Sequence, residues 1–392
     1  MPCGVFTTLA FFSAYVIIRR KNIFIFCVRL LCPVKAITRG KNKAKTLGVY
    51  IMITIKDLAE KAGVAPTTVS NVLHGRTEKM SKETLTRVQQ VISASNYVTN
   101  MGARLLANYG SRIIGVIMIY SRREEQNAVQ DPFYAEIIGA LEKATRLNGY
   151  FMMHYTSGGV EESLKIAASW NTEGLIVLSC QANDCAKFEE LSGIPVVFID
   201  SYFDKSVRTL GNVGLQDYEG SRLITRHLLT QGHRHIAFLA DAAVPLGVDK
   251  ERLEGCKAAL AQAGLLWDDA DYLPLSFHEE ERHAFLRALC RDHLRGYTAL
   301  VFSSDFYAID AVNILFSEGV RIPEDISVTG FDDNVFARVC RPPLTTVRQN
   351  PSRKAEAAME MLLKMLRGEE LAEQNIRLPV KLMVRESTKP LG

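Results

Sequence analysis

The feature that most constrains the fold is an alternation of short apolar runs with longer amphipathic segments, which begins at Arg112 and continues almost to the end of the chain. The six clearest runs are RIIGVIMI, GLIVLS, IPVVFID, HIAFLA, ALVFSS and ISVTGFD. Runs that are apolar throughout are typical of strands buried on both faces of a parallel sheet. Four segments between them have helical periodicity, namely PFYAEIIGALEKATRLNG, EGSRLITRHLLTQG, ERLEGCKAALAQAG and FYAIDAVNILFSEG. The alternation predicts a doubly wound α/β architecture, with a ligand crevice at the carboxyl ends of the strands.

A different pattern, IKDLAEKAGVAPTTVSNVLHG, occupies residues 55–75. Thr54 is placed to cap a first helix, and Asp57 follows three residues later, as in a capping box. Gly63 suits the left-handed residue that ends such a helix, and Pro66 suits the first turn of a second helix. The spacing leaves two interpretations open, a DNA-reading helix–turn–helix or a plain helical hairpin.

A third helix is predicted from Ser81, in the segment SKETLTRVQQVISASN. Its apolar residues recur at helical spacing and are Leu85, Val88, Val91 and Ile92. These side chains can close a three-helix core, which favours the helix–turn–helix interpretation.

The first 52 residues differ in composition from the rest of the chain. They carry nine Lys or Arg residues and no Asp or Glu, whereas residues 111–392 carry 31 basic and 39 acidic residues. The apolar run VFTTLAFFSAYVII is short for a membrane span, and its basic cluster follows it, whereas a signal peptide has the basic cluster first. We expect a misplaced start codon, with the protein beginning near Met52, and a membrane-associated anchor is the alternative. The positive charge of this leader therefore does not indicate nucleic-acid binding.

The eight cysteines have neither Cys-x-x-Cys spacing nor a Cys/His arrangement typical of zinc ligands, so we expect reduced thiols and no metal. The sequence contains no P-loop and no convincing nucleophile–base pair, which argues against an enzyme. His233 and His235, in GHRHI, precede a strand and are expected to contact backbone rather than to perform chemistry.

Seven motifs follow one another along the chain: TIKDLAEKAGV…TTVSNVL, SKETLTRVQQVISASNY, DPFYAEIIGALEKA, HLLTQGHRHIAFL, PEDISVTGFDD, PPLTTVRQN and LMVREST. In this order they resemble the lactose/galactose repressor (LacI/GalR) family of bacterial transcription regulators, from Ile53 to about Lys389. The resemblance implies an N-terminal all-α helix–turn–helix DNA-binding domain, a hinge helix, and a two-lobed α/β core like that of periplasmic binding proteins.

The resemblance also implies a division of the chain into domains. These are the leader (1–52), the DNA-binding domain (53–98), the hinge helix and linker (99–111), and an effector-binding and dimerisation core (112–392). Within the core, the first lobe is expected at about 112–213 and 344–372, and the second at about 214–343 and 373–390.

In the family, residues at the start of the second helix contact base edges in the major groove. The matching positions here are Pro66 and Thr67, with Asn71 one turn later. Asn can pair with adenine, and a Thr methyl can meet a thymine methyl. Other matching positions are expected to contact phosphates, namely Thr54, Thr68, Ser70, His74 and Tyr97. For Thr68 and Ser70, a capping or surface role is the alternative.

The segment NMGARLLAN, residues 100–108, resembles the hinge helix that family members fold on operator DNA. Leu106 matches the side chain that wedges into the minor groove, and Ala103 and Arg104 match the groove-facing flank. Asn100, which begins the segment, is included among the expected DNA contacts. The alternative is a plain linker with Leu106 packed on the core.

The resemblance further implies an effector pocket. It carries over to aromatic, charged and polar positions, which are Phe133, Tyr134, Asp200, Arg252, Phe277, Ser304, Asp305 and Asp332. Aromatic faces beside Arg and carboxylate groups suit a sugar or a nucleobase. Asp305 could instead cap the following helix and Asp332 could brace a strand end, and Ser304 departs from the Asn usual in the family.

Together these features predict a cytoplasmic transcription regulator, most simply a repressor, whose operator affinity is switched by a small-molecule effector. A homodimer on a palindromic operator follows from two-fold symmetry, and no cofactor or membrane partner is expected. The alternative is a solute-binding protein of a transport system, which would explain the α/β core but has no use for residues 54–108.

Overall fold

The computed structural model describes residues 53–73, 75–95, 97, 110–119, 128–202, 211–241 and 243–391. The chain divides into two compact units, Met1–Val98 and Thr99–Gly392. The predicted leader and hinge helix lie outside the described residues. In the described part, no helix combines the length and the apolar character needed to cross a membrane.

The described part of the first unit is a three-helix bundle of α1 (Ile55–Ala62), α2 (Pro66–Leu73) and α3 (Lys82–Ala94). The predicted capping box is confirmed, because the Asp57 amide donates to Thr54 Oγ1 and the Thr54 amide donates to an Asp57 carboxylate oxygen. Gly63 ends α1 in the left-handed conformation, at φ 63°. One buried residue from each helix forms the centre of the bundle, namely Leu58, Val69 and Val88.

The second unit contains two six-stranded sheets. Its strands are β1 (Ile113–Ile119), β2 (Phe151–Ser157), β3 (Gly174–Leu178), β4 (Val196–Ile199), β5 (Gly211–Leu215), β6 (Ile236–Ala240), β7 (Tyr272–Pro274), β8 (Ala299–Phe302), β9 (Ser327–Asp332), β10 (Thr345–Arg348), β11 (Asn375–Leu378) and β12 (Lys381–Met383). Its α-helices are α4 (Pro132–Leu147), α5 (Val160–Ser169), α6 (Ala182–Leu191), α7 (Asp217–Thr230), α8 (Gly247–Gln262), α9 (Glu279–Arg291), α10 (Asp305–Ser317), α11 (Val335–Val339) and α12 (Pro351–Leu366).

Each sheet forms the centre of one lobe. The strand order is β11-β5-β4-β3-β1-β2 in the first lobe and β12-β10-β9-β8-β6-β7 in the second. The pairing is parallel except for β12, which runs antiparallel to β10. Central strands such as β3 and β4 are buried along their whole length, with apolar clusters on both faces of each sheet. The predicted doubly wound two-lobed architecture is therefore confirmed.

The chain crosses between the lobes three times, after β5, after β10 and after β11. The lobe boundaries differ from those expected because each strand belongs as a whole to the sheet with which it pairs. Strand β10 (345–348), expected in the first lobe, pairs with β9 of the second, and β11 (375–378), expected in the second lobe, pairs with β5 of the first. The residues that follow β5 and β10, Gln216 and Gln349, therefore lie where the chain passes from one lobe to the other.

Candidate DNA-reading surface and effector cleft

Helix α2 presents a polar surface to solvent. Pro66, Thr67 and Asn71 are exposed, whereas Val69 on the opposite side is completely buried against the other two helices. Thr68 and Ser70 are half-buried at the margins of this surface. The local fold thus separates the expected base-contacting side chains from the helix face that holds the bundle together.

Two of the expected phosphate contacts also serve the bundle itself. Thr54 caps α1, and the ring of Tyr97 packs partly buried against the three-helix core, where burial raises the pKa of its hydroxyl. The remaining expected DNA contacts lie outside the described residues, namely His74, Asn100, Ala103, Arg104 and Leu106.

A cleft of about 830 Å³ opens between the two lobes, at the carboxyl ends of both sheets. Seven of the eight expected effector residues line it, namely Phe133, Tyr134, Asp200, Arg252, Phe277, Ser304 and Asp332. They come from strand ends, loops and the N-terminal parts of helices that are far apart in sequence. The α/β topology brings them together because every parallel strand ends at the same edge of its sheet.

Asp305 is the expected effector residue that is not part of the cleft wall. It is completely buried, accepts the Thr346 hydroxyl at 2.6 Å, and accepts the Asn334 amide at 3.0 Å. Burial raises the pKa of its carboxyl to about 6. Ser304, and not Asp305, accepts the backbone amide of Tyr307 and so caps α10. Asp305 is thus directed away from the cleft and links α10 to the neighbouring strand ends.

Arg252 is held rigidly in the second lobe. Its Nε and Nη2 atoms lie 2.8 and 2.7 Å from Asp217 Oδ1, and its Nη1 donates to the Ser303 carbonyl oxygen at 2.5 Å. The guanidinium carbon lies 3.6 Å from the centre of the Phe331 ring. Asp217 also accepts the hydroxyl of Tyr202, a cleft residue of the first lobe. The buried Asp217 therefore connects polar groups from both sides of the cleft.

The first lobe contributes an aromatic wall. The Phe133 and Tyr134 rings are 5.3 Å apart, and the Tyr134 hydroxyl is hydrogen-bonded to Ser179 Oγ at 2.7 Å. Asp131 caps α4 by accepting the Phe133 amide, and burial raises the pKa of this carboxyl to about 6. The wall combines flat apolar faces with polar groups at its edge, as in sites that bind sugar or base rings.

The second lobe brings further carboxylates to the cleft. Burial, together with the nearby charge of Asp241, raises the pKa of Asp249 to about 7. Burial, together with the charge of Asp305, raises the pKa of Asp332 well above its ordinary value. The Tyr307 hydroxyl donates to Asp241 at 2.9 Å. Over the ranges that the structure describes, no cluster of His, Cys, Asp or Glu is arranged to hold a metal ion.

Several cleft residues were not among those expected from the sequence, and they are Tyr202, Asp241, Asp249, Tyr307, Gln349 and Arg377. Two partners behind the wall, Asp217 and Lys354, were also missed. One rule would have found several of them, because Tyr202, Asp241 and Gln349 each come within three residues of the end of a buried strand. Lys354 does not follow a buried strand directly. It lies within α12, and nothing in the local sequence distinguishes it from a surface lysine of a helix.

Two protein-family models match the chain. The model of bacterial regulatory proteins of the lacI family matches residues 54–100, and the model of a periplasmic binding protein-like domain matches residues 225–388. These ranges correspond to the three-helix bundle and to most of the second lobe with the final crossings.

Curated relatives extend the similarity over both units. The HTH-type transcriptional repressor PurR of Aliivibrio fischeri is 30% identical over 343 residues, which cover 86% of this chain and 98% of that protein. The ribose operon repressor of Haemophilus influenzae is 28% identical over 342 residues, with the same coverage of 86% and 98%.

Solved structures show the same arrangement. The Lac repressor dimer bound to operator and the anti-inducer ONPF has a TM-score of 0.72 at 25% identity, covering 86% of this chain and 99% of that one. The complex of the transcriptional regulator CelR with cellobiose has a TM-score of 0.62 at 27% identity, with coverage of 86% and 99%.

The chain combines a helix–turn–helix unit with a two-lobed α/β ligand-binding core. This combination defines a DNA-binding regulator of transcription that responds to a small molecule. The chain belongs to the lacI family of bacterial regulatory proteins. It is an effector-regulated DNA-binding repressor and not an enzyme. The transport interpretation is not favoured.

Proposed function

We propose that the protein acts in the cytoplasm as a homodimeric repressor, in which each subunit reads one half of a palindromic operator with α2. Pro66, Thr67 and Asn71 contact base edges, and Thr54, Thr68, Ser70, His74 and Tyr97 position the phosphates. In the proposed complex the hinge segment enters the minor groove, where Leu106 acts as the wedge and Asn100, Ala103 and Arg104 flank it.

The observation that carries the effector part of the proposal is the cleft of about 830 Å³ between the strand ends of the two lobes, lined by aromatic rings and carboxyl groups. A ligand in this cleft contacts both lobes and therefore changes their relative closure. Closure changes the spacing of the two hinge segments in the dimer, which shifts the operator-competent state by roughly 1–3 kcal/mol. The ribose operon repressor is similar over 86% of this chain, and the CelR structure is a complex with cellobiose, which supports a sugar as the effector. The aromatic faces of the cleft also suit a nucleobase, the second leading class.

A surface for the dimer is available on α11. Val335, Phe336 and Val339 on this short helix are 55%, 52% and 60% exposed. Three large apolar side chains on one turn and a half of helix form a patch of the kind that is covered in stable oligomers. We assign this patch to the dimer contact, where a two-fold axis would bring it against its own copy.

Gel retardation on promoter DNA from the protein's own gene tests the assignment of α2. A variant with Thr67→Ala and Asn71→Ala should lose retardation, because the base contacts are removed while the buried face of α2 is unchanged. Gln90→Ala is the matched control, since Gln90 is an exposed polar residue on α3. Undiminished retardation by the double variant would refute the recognition-helix assignment.

A further inference from the structure

A buried lysine lies directly behind the floor of the effector cleft. Lys354, on α12, has no solvent-exposed side-chain surface. Burying an ammonium group is unfavourable unless it is paired and hydrogen-bonded. The contacts of Lys354 therefore show how its buried charge is compensated and which side chains it positions.

All three ammonium donors of Lys354 are used. The Nζ atom donates to Asp200 Oδ1 at 2.8 Å, to Asp200 Oδ2 at 2.6 Å, and to Gln349 Oε1 at 2.8 Å. It also lies 5.0 Å from the centre of the Phe133 ring, so it contacts the back of the aromatic wall. No donor of this ammonium is left to contact an effector directly.

Lys354 also fixes the orientation of Gln349. An ammonium group only donates, so Gln349 must place its amide oxygen towards Lys354. The amide nitrogen then donates to Asp332 Oδ1 at 2.5 Å. Gln349 follows β10, where the chain crosses between the lobes, and the result is a continuous chain of contacts from Asp200 in the first lobe to Asp332 in the second.

This chain of contacts determines the polarity of the cleft floor. Asp200, Gln349 and Asp332 all line the cleft, but the amide donor of Gln349 is already bonded to Asp332. Beside the second N–H of Gln349, the floor offers a ligand mainly the remaining acceptor positions of Asp200 and Asp332. A ligand seated there is therefore held mainly through its own hydrogen-bond donors.

The charges around the cleft also favour a ligand without an anionic group. The lining contains six carboxylates, Asp131, Asp200, Asp241, Asp249, Glu251 and Asp332, and three cations, Lys250, Arg252 and Arg377. Arg252 pairs with Asp217 and Arg377 lies 3.7 Å from Glu251. Among the described residues, no ion pair reaches Asp131, Asp241, Asp249 or Asp332. Carboxyl groups outnumber cations two to one in the lining, so an anionic group would find few cations to compensate its charge.

We propose that Lys354 is a positioning residue of the effector site, which leaves the floor with mainly hydrogen-bond acceptors and thereby selects a hydroxyl-rich effector without a phosphate or carboxylate group. The inference rests on the proposed effector function of the cleft and specifies its ligand class. It favours an unphosphorylated sugar or polyol over a phosphorylated sugar and over a nucleobase, whose ring offers fewer donors along one edge.

Thermal denaturation of the full chain with matched probes tests the ligand class. The probes are ribose, glucose and myo-inositol, each beside its monophosphate ester, together with hypoxanthine; further pentose, hexose and polyol pairs are added until one member of a pair raises the melting temperature. The expected stabilising probe is an unphosphorylated member. Stabilisation by a phosphate ester or by hypoxanthine, without stabilisation by a parent sugar or polyol, would overturn the proposal.

Variants of Lys354 test its positioning role with the stabilising probe. Lys354→Met should weaken binding about tenfold or more, because Gln349 is no longer held in one orientation. If the single variant fails to fold, the variant with Asp200→Asn and Lys354→Met removes both charges and should bind equally weakly. Lys364→Met, at an exposed lysine of the same helix, is the matched control and should bind normally. Wild-type affinity in both Lys354 variants would refute the role of Lys354.

Gel retardation of promoter DNA with the same preparations distinguishes a failure of the proposed regulatory function from a failure of the proposed ligand class. If the wild-type chain does not retard its promoter, the proposed regulatory function fails. If it does retard the promoter while a phosphate ester is the stabilising probe, only the assignment of the ligand class fails.

Discussion

Arg252 and Asp217 form an ion pair beneath the cleft in which two guanidinium nitrogens, Nε and Nη2, lie 2.8 and 2.7 Å from the same carboxylate oxygen. Both side chains are almost fully buried, and Asp217 has no exposed surface. Each charge is therefore stabilised mainly by the other. This pair joins the start of α7 to the start of α8 and sets the position of the Arg252 face that lies on Phe331.

Removal of one partner of this pair should be strongly destabilising. Arg252→Met leaves the Asp217 carboxylate buried without its cation, and we expect a loss of about 3–5 kcal/mol in the free energy of unfolding. Urea denaturation measures the loss, and adding Asp217→Asn to Arg252→Met should recover part of it. Arg252→Lys should also be destabilising, because a single ammonium cannot contact both Asp217 and the Ser303 carbonyl in the same geometry. An unchanged midpoint in Arg252→Met would contradict the account.

The raised pKa of Asp249 predicts a pH dependence of stability. Its folded-state pKa of about 7 exceeds the ordinary value of 3.8, so the folded protein binds this proton more tightly than the unfolded chain. The stabilisation from Asp249 is therefore complete below the ordinary pKa and is lost as the pH rises through about 7. Asp249→Asn cannot ionise, so its melting temperature should exceed that of the wild type at high pH, with the difference vanishing at low pH. Glu254→Gln, at an exposed residue of the same helix, should show no such trend.

Introduction of a charge into the apolar patch of α11 should dissociate the proposed dimer. Phe336→Asp places a carboxylate where the patch would meet its own copy, which opposes burial of that surface. Sedimentation equilibrium should give the mass of one chain for this variant and of two chains for the wild type. Phe316→Asp is the matched control, because Phe316 is 78% exposed on a different helix, α10. A Phe336→Asp variant that remains a dimer would move the contact to another surface.

The close approach of α7 and α8 depends on Gly255. A Cβ atom at this position would lie 2.1 Å from the Tyr218 carbonyl oxygen and 3.1 Å from the Arg222 amide nitrogen, both of which are backbone atoms. Gly255→Ala should therefore destabilise by about 1–3 kcal/mol, because neither neighbour can move as a side chain would. Gly139→Ala provides the control in calorimetry. It lies within α4 with nothing within 4 Å of its Cβ position, and should stabilise by about 0.5–1 kcal/mol.

The elements with strong local signals could be predicted from the sequence. Thr54, Asp57 and Gly63 define the first helix through its caps, and the wholly apolar runs at β3 and β4 define buried parallel strands. The short strands β10, β11 and β12 carry too few residues for a periodicity to appear. Their sheet membership depends on tertiary pairing: β10 pairs with β9, β11 with the distant strand β5, and β12 with β10.

The candidate site shows the same limit. Asp332 ends a predicted strand, and Phe133 matches a pocket position of the family that the sequence resembles, so both could be placed in a ligand crevice. Lys354 could not be placed there. Its role depends on a contact with Asp200, 154 residues away, and on a crossing that local sequence does not encode. The expected pocket role of Asp305 remains a prediction that the geometry does not favour, because helix α10 begins at that residue and directs its carboxylate towards Thr346.

The central claim is that one small molecule in the cleft changes the affinity of the protein for its operator. Fluorescence anisotropy of labelled promoter DNA, with and without a saturating concentration of the stabilising sugar or polyol, measures this coupling directly. We predict a change in the dissociation constant for DNA of roughly 5- to 150-fold, and an equal change in the affinity for the sugar when DNA is bound. A sugar that binds in the cleft and leaves the dissociation constant for promoter DNA unchanged would contradict the claim.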